Sequence, residues 1–295
     1  ASALAERGAE GADVYADALT ANLASGTARI LFPTDGMRIA MTYKSLGSPK
    51  FVSYLGDSVF YCTELGKRGV GDFAWALIAA EHCGTSFPSD AANTPESLLQ
   101  SIAEAELESG GFALMGNTAD ADATAIVLRA LAPYRESCSE LVERTLNALA
   151  ELQRESGAFA SLGTETAEST AQVVLALSAL GIAPDSDERF VKNGVTCIDA
   201  LYGFATSDGF AHIRGGETDA LATAQALSAL RAYELPQQND DSVPASAGAV
   251  PSLSSAATDN DSGTTQTVLL VAAAVAVVAG AAVFLRVRFA KQYQK

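Results

Sequence analysis

One pattern recurs along the chain and constrains its fold more than any other feature. A glycine-rich turn carries an aromatic residue, and a threonine follows about a dozen positions later to open an apolar helical stretch. The copies read ESGGFALMGNTADADATAIVLRALAPY from Glu108, RESGAFASLGTETAESTAQVVLALSALG from Arg154 and TSDGFAHIRGGETDALATAQALSALRAY from Thr206. Their aromatics are Phe112, Phe159 and Phe210, and their threonines Thr124, Thr170 and Thr223. A degenerate fourth copy, GDFAWALIAAEHCG from Gly71, has Phe73 where the threonine would stand. A period of roughly fifty residues leaves room for two helices and two turns, the mark of a repeat architecture in which neighbours bury each other's apolar faces.

The helices within a repeat differ in character. TAQVVLALSAL is apolar nearly all round, whereas SELVERTLNALAELQRE places Leu141, Val142, Leu146, Leu149 and Leu152 on one stripe with charges opposite. A helix apolar on every side is enclosed, and an amphipathic one shows a face to water, so the sequence predicts inner helices covered by outer ones. Composition agrees: 48% of residues are hydrophobic but only 7% aromatic, so the apolar content is mostly helix-favouring Ala and Leu, with Val. Ser109-Gly110-Gly111 and Asp208-Gly209 are expected to supply positive-φ turn positions, and Pro133 and Pro184 to follow helix ends.

The two ends of the chain carry opposite charge. The formal charge is −16, yet the last ten residues hold Arg286, Arg288, Lys291 and Lys295 and no acid; the remaining 15 basic residues face all 35 acidic ones upstream, a charge of −20. Such a deficit excludes nucleic acid as a partner, since phosphate neutralisation needs clustered Lys and Arg. Just before the basic tail, VLLVAAAVAVVAGAAVFL runs from Val268 to Leu285 without a charged or polar side chain, about the minimum that spans a bilayer. The positive-inside bias places the tail in the cytoplasm and the rest outside. That orientation calls for a removed signal peptide, so the start at Ala1-Ser2-Ala3 is read as that of a processed chain or fragment. The expected organisation is an N-terminal helical region over 1–67, a candidate degenerate repeat with a helix near Ala9 to Ala24; repeats over 68–235; a disordered Ser-, Ala-, Pro- and Asp-rich stalk over 236–266; a transmembrane helix over 267–285; and a basic tail over 286–295.

The Gly-Gly-Phe turn, DADATAIVLRALAPY, ESTAQVVLALSALGIAPDSDERFVKNG and the Gly-Phe-Ala-His stretch followed by ATAQALSALRAY closely resemble bacterial surface proteins with prenyltransferase and squalene-cyclase type repeats. The resemblance covers Gly71 to Tyr233 and implies an all-α fold, an α/α toroid whose ring of stacked helix pairs is either closed or incomplete. That superfamily includes terpene cyclases, protein prenyltransferase β subunits and cobalamin carriers. Asp120-Ala121-Asp122-Ala123-Thr124-Ala125 is similar to the DxDDTA motif of the cyclases, which would make Asp122 a proton donor and Asp120 its helper, with Ala123 standing where the family has a further Asp. The local reading is that Asp122 and Thr124 cap an inner helix, as Glu168-Ser169-Thr170 would in the next repeat. Gln153 to Phe159 resembles the QxxxGxW motif that ties outer helices together.

Further candidates line the expected mouth of the ring: His212 and Arg214 in an interhelical loop, with Glu168, Gln172, Asp219 and Gln225, as ligand-binding residues. Cys197, Asp199 and His212 have the wrong order and spacing for a prenyltransferase zinc site, so no metal is expected. The pairing of Cys62, Cys83, Cys138 and Cys197 is not readable from their spacing. The expected function is a membrane-anchored surface module that binds a small apolar ligand or another surface protein. No cofactor is implied, although the carriers suggest cobalamin or another corrinoid as a ligand; the competing reading is a terpene cyclase or prenyltransferase-like enzyme using Asp122 and Asp120.

Overall fold

The computed structural model describes residues 9–240. Ten α-helices occur among them: α1 (Ala9–Ala24), α2 (Pro33–Ser45), α3 (Phe51–Leu55, continued by a π-turn over Gly56–Phe60), α4 (Gly71–Cys83), α5 (Pro95–Glu104), α6 (Ala121–Leu131), α7 (Ser139–Glu151), α8 (Ala167–Ala179), α9 (Cys197–Tyr202) and α10 (Ala220–Asp240). The described strands, β1 (Ala160–Ser161) and β2 (Thr164–Glu165), form a two-residue hairpin.

The even-numbered helices from α2 to α10 pack each on the next, and the odd-numbered α3, α5, α7 and α9 lie each on the inner helix before it. Two layers result, five inner helices and four outer. The end helices α2 and α10 do not share the packing that joins the others, so the described residues form an arc of a toroid. Each layer has the burial its sequence predicts. Every residue of α8 from Ser169 to Leu177 is buried, while α7 buries Leu141, Val142, Leu146 and Leu149 and exposes Glu143, Arg144 and Asn147. The stretch before residue 50, outside the clear repeats, supplies the inner helix α2, whose Met37, Ala40 and Met41 join the core.

The repeated threonine has a different role from the one its position suggested. It lies one turn inside each inner helix and fastens the preceding aromatic turn. Phe112 N–H donates to Thr124 Oγ1 at 3.1 Å, Phe159 N–H to Thr170 Oγ1 at 3.2 Å and Phe210 N–H to Thr223 Oγ1 at 2.8 Å. The caps are Asp120, Thr166 and Asp219, four residues earlier in each copy. Capping therefore belongs to Asp120, not to Asp122 or Thr124. Thr170→Val should cost about 1–3 kcal/mol in denaturant unfolding, because a methyl leaves the buried Phe159 N–H without an acceptor. An unchanged midpoint would remove the clasp from the account of the repeat.

The turns also differ in detail. Gly110 takes positive φ as expected, but neither Asp208 nor Gly209 does, and Gly157 of the second copy, for which no such turn was expected, takes it too. Gly209 is instead a close-approach site, where a Cβ would strike the Thr223 side chain. In the degenerate copy Phe73 sits against Gly66, so the aromatic comes from the helix and not from the turn. Gln153, read as structural, donates to the carbonyls of Gly157 at 2.9 Å and Phe190 at 3.0 Å and so binds the end of α7 to the turns on either side. All four cysteines are free thiols; burial pushes Cys83 and Cys197 up to about 12.

Helix α1 touches the body through Thr20, whose hydroxyl bonds Tyr43 Oη at 2.9 Å and accepts from Lys50 Nζ at 3.0 Å. Beside it an open groove of about 620 Å³ is bordered by Arg29, Ile30, Leu31, Tyr43, Lys50 and Tyr54, all of them upstream of the repeats that begin at Gly71. No helix among the described residues is long and apolar enough to cross a membrane. The apolar run 268–285, expected to do so, and most of the expected stalk lie outside the described residues, although α10 continues to Asp240.

Candidate functional site

The inner helices α6, α8 and α10 begin at one rim of the arc, and their caps and first turns bring carboxylates together there. Asp120 Oδ1 accepts from the N–H groups of Asp122 and Ala123 at 2.9 and 3.1 Å, and Asp219 Oδ1 accepts from Leu221 and Ala222 at 2.8 and 2.9 Å. Such caps satisfy the open amides of a helix start and complement its positive dipole. Both cap carboxylates therefore have a structural occupation. Asp120 Oδ2 in addition accepts from Ser161 Oγ at 3.0 Å.

Asp122, two residues on, caps no amide; the Ser169 and Ser161 hydroxyls are its side-chain partners. Its Oδ1 is buried and has no hydrogen-bond partner. Burial, and then the neighbouring Asp120 charge, push its carboxyl up to about 7; the Ser169 and Ser161 hydroxyls work the other way. Glu168 occupies the equivalent place on α8 and is raised as well, chiefly by burial, against the pull of His212. His212 Nδ1 lies 2.9 Å from Glu168 Oε2, and the backbone carbonyl of His212 accepts from Ala167 N–H, so the loop is pinned to the start of α8.

Below this rim, Gln172 and Gln225 meet between α8 and α10, Gln172 Nε2 donating to Gln225 Oε1 at 3.0 Å. Both are almost fully buried, and Gln172 Oε1 is left without a partner. Gln172 stands one turn after Glu168 on the same face of α8. Arg214 is directed elsewhere: its Nη2 donates to the Ser156 carbonyl at 3.2 Å and its guanidinium covers Phe204, so it fastens a turn. Cys197 and Asp199 also separate from His212, the thiol buried at the start of α9 and the carboxylate forming a capping box with Thr196.

The structure thus joins Asp120, Asp122, Glu168, His212 and Asp219 at one rim of the arc, with Gln172 and Gln225 beneath. Residues 67–248 match the prenyltransferase alpha-alpha toroid domain, more than half of the chain. The chain belongs to that family. No curated protein matches it. Within this toroid the sequence had not singled out Ser161 and had read Ser169 only as part of a cap; both hydroxyls stand beside Asp122. The repeat register was the available signal: Asp122 and Glu168 both stand two residues before the clasp threonine, and Gln172 and Gln225 two after it.

Proposed function

We propose that this toroid is a ligand-binding module, that its ligand enters where the inner helices begin, and that the ligand offers hydrogen-bond donors to Asp122, Glu168 and Gln172. One observation carries the reading. Asp122 Oδ1 and Gln172 Oε1 are buried acceptors without partners, and native folds rarely leave such groups unsatisfied. A molecule presenting N–H groups, such as a primary ammonium, offers the kind of donor that each lacks. The charge of −20 upstream of the tail favours a cationic head over an anionic one. The apolar run 268–285 and the basic tail after it support display of the module on a membrane, N-terminal side outside.

The test is thermal unfolding of the full-length chain in mild detergent with hexylamine as the probe. A ligand at a hundred times its dissociation constant adds about 2.7 kcal/mol. Gln172→Leu should abolish the rise; no rise in the wild-type protein sinks the reading.

A second reading has its own support. A proton donor must hold its proton near neutral pH, and Asp122, pushed up to about 7, does so. Polyprenyl substrates converted by the wild-type chain and not by Asp122→Asn would establish an acid-catalysed cyclase in place of a binding module.

A further inference from the structure

Helix α6 is buried on every side but one. Asp122, Ile126 and Arg129 keep accessible surface while the residues between and beside them are buried, and their spacing of four and three places them on a single face. With α4 and α8 on its flanks and the outer helix α7 behind it, α6 turns that remaining face to the space inside the arc. At its two ends stand two polar atoms with the same deficiency and opposite chemistry. Asp122 Oδ1 is an acceptor without a donor, and Arg129 Nη1 is a buried donor without an acceptor.

The surroundings of Arg129 supply no anion. Its guanidinium lies 5.9 Å from the centre of the Trp75 ring on α4, and Arg38 of α2 lies 5.1 Å from the centre of the same ring. No carboxylate of the described residues forms an ion pair with it. The neighbouring His82, on α4, bonds the Ser45 hydroxyl at 3.2 Å and stays uncharged at neutral pH, its pKa pushed down to about 4 by burial and by the Arg129 and Lys44 charges. The helix dipole accounts for the signs, an acid near the start of α6 and a cation near its end, but it gives neither group a hydrogen-bond partner.

We infer that Arg129 is an anion subsite of the lumen and that the ligand is an amino-carboxylate, its ammonium at Asp122 and Gln172, its carboxylate at Arg129 and an aliphatic chain along Ile126. The inference rests on the binding-module reading and adds the second end of the ligand. A single carboxylate suits the site better than a phosphate. Asp122 and Glu168 in the same lumen repel a multivalent anion more strongly than a single carboxylate. Residues seven apart on a helix are about 10 Å apart along its axis, and the long arginine leans back toward the helix start, so a chain of about six carbons bridges the two ends.

The experiment is calorimetric titration of the full-length chain with 6-aminohexanoate, hexylamine and hexanoate, on the wild type, Arg129→Gln and Arg129→Met. The expected result is that 6-aminohexanoate binds at least about tenfold more tightly than hexylamine, and that both variants abolish this difference while still binding hexylamine. Equal affinity of 6-aminohexanoate and hexylamine for the wild type overturns the anion subsite and leaves the binding module standing. Binding of hexanoate without hexylamine keeps Arg129 as an anion site and overturns the donor-headed ligand. No saturable binding of any of the three overturns both. Folding of the variants is read independently from far-ultraviolet circular dichroism, and removing a buried unpaired cation is expected to leave it intact.

Discussion

Replacing Asp122 by Asn is expected to stabilise the protein at pH 8 and to leave it nearly unchanged at pH 4. The folded carboxyl titrates at about 7 against an ordinary value of 3.8. A carboxyl raised in this way binds its proton more readily in the folded chain, so its contribution is fully present below 3.8 and is lost as pH rises to about 7. The shift of about three units corresponds to roughly 4 kcal/mol at the upper end of the window, an order of magnitude that the partial exposure of the residue reduces. Glu168 adds to the same trend, since it too is raised. His82 acts oppositely. Its pKa falls from 6.5 to about 4, so the stability it contributes is present above 6.5 and lost as pH drops through the window to about 4. The two slopes oppose each other between about pH 4 and 6.5, which flattens the wild-type profile and makes the single variants informative. Urea unfolding from pH 4 to 8 should show the advantage of Asp122→Asn growing by a few kcal/mol with pH, and that of His82→Gln growing as pH falls. A profile for Asp122→Asn parallel to the wild type would mean that its carboxyl is neither enclosed nor short of a partner.

Phe159→Ala should be the most damaging single change in the repeats, about 3–5 kcal/mol, the range for emptying a fully buried aromatic site. Its ring is fully buried, its N–H is held by Thr170 and its carbonyl accepts from the Thr166 N–H, so one residue joins the glycine turn, the cap and the inner helix. The cavity cannot close by local collapse, because the neighbouring Gly157 turn is fixed: a Cβ there would come within 2.8 Å of Val195 and 3.2 Å of the Thr196 carbonyl. Equilibrium unfolding measures the loss. A cost below about 1 kcal/mol, as at an exposed site, would show that the turn is peripheral to the packing.

The layering of inner and outer helices was legible in the sequence because apolar periodicity reports burial directly: α8 is enclosed and α7 is amphipathic, as their residues indicated. The clasp threonine was legible as a repeated residue and misread as a cap, since spacing alone does not tell the first helical position from one turn further in. The cap was Asp120, and the oxygen left open was that of Asp122.

Local chemistry sets the reach of the sequence taken alone. A glycine turn, an aromatic and a threonine within 11 to 13 residues make a unit whose hydrogen bonds close over short separations, and its repetition dictates stacked helix pairs. Which polar groups are left without partners is settled by tertiary packing and by nothing shorter in range. Gln172 meets Gln225 across 53 residues, His212 meets Glu168 across 44, and Arg129 reaches Trp75 of the neighbouring inner helix and no carboxylate. Burial raises the cost of a charge and withholds water as an alternative partner, and both depend on which distant segments come to surround it.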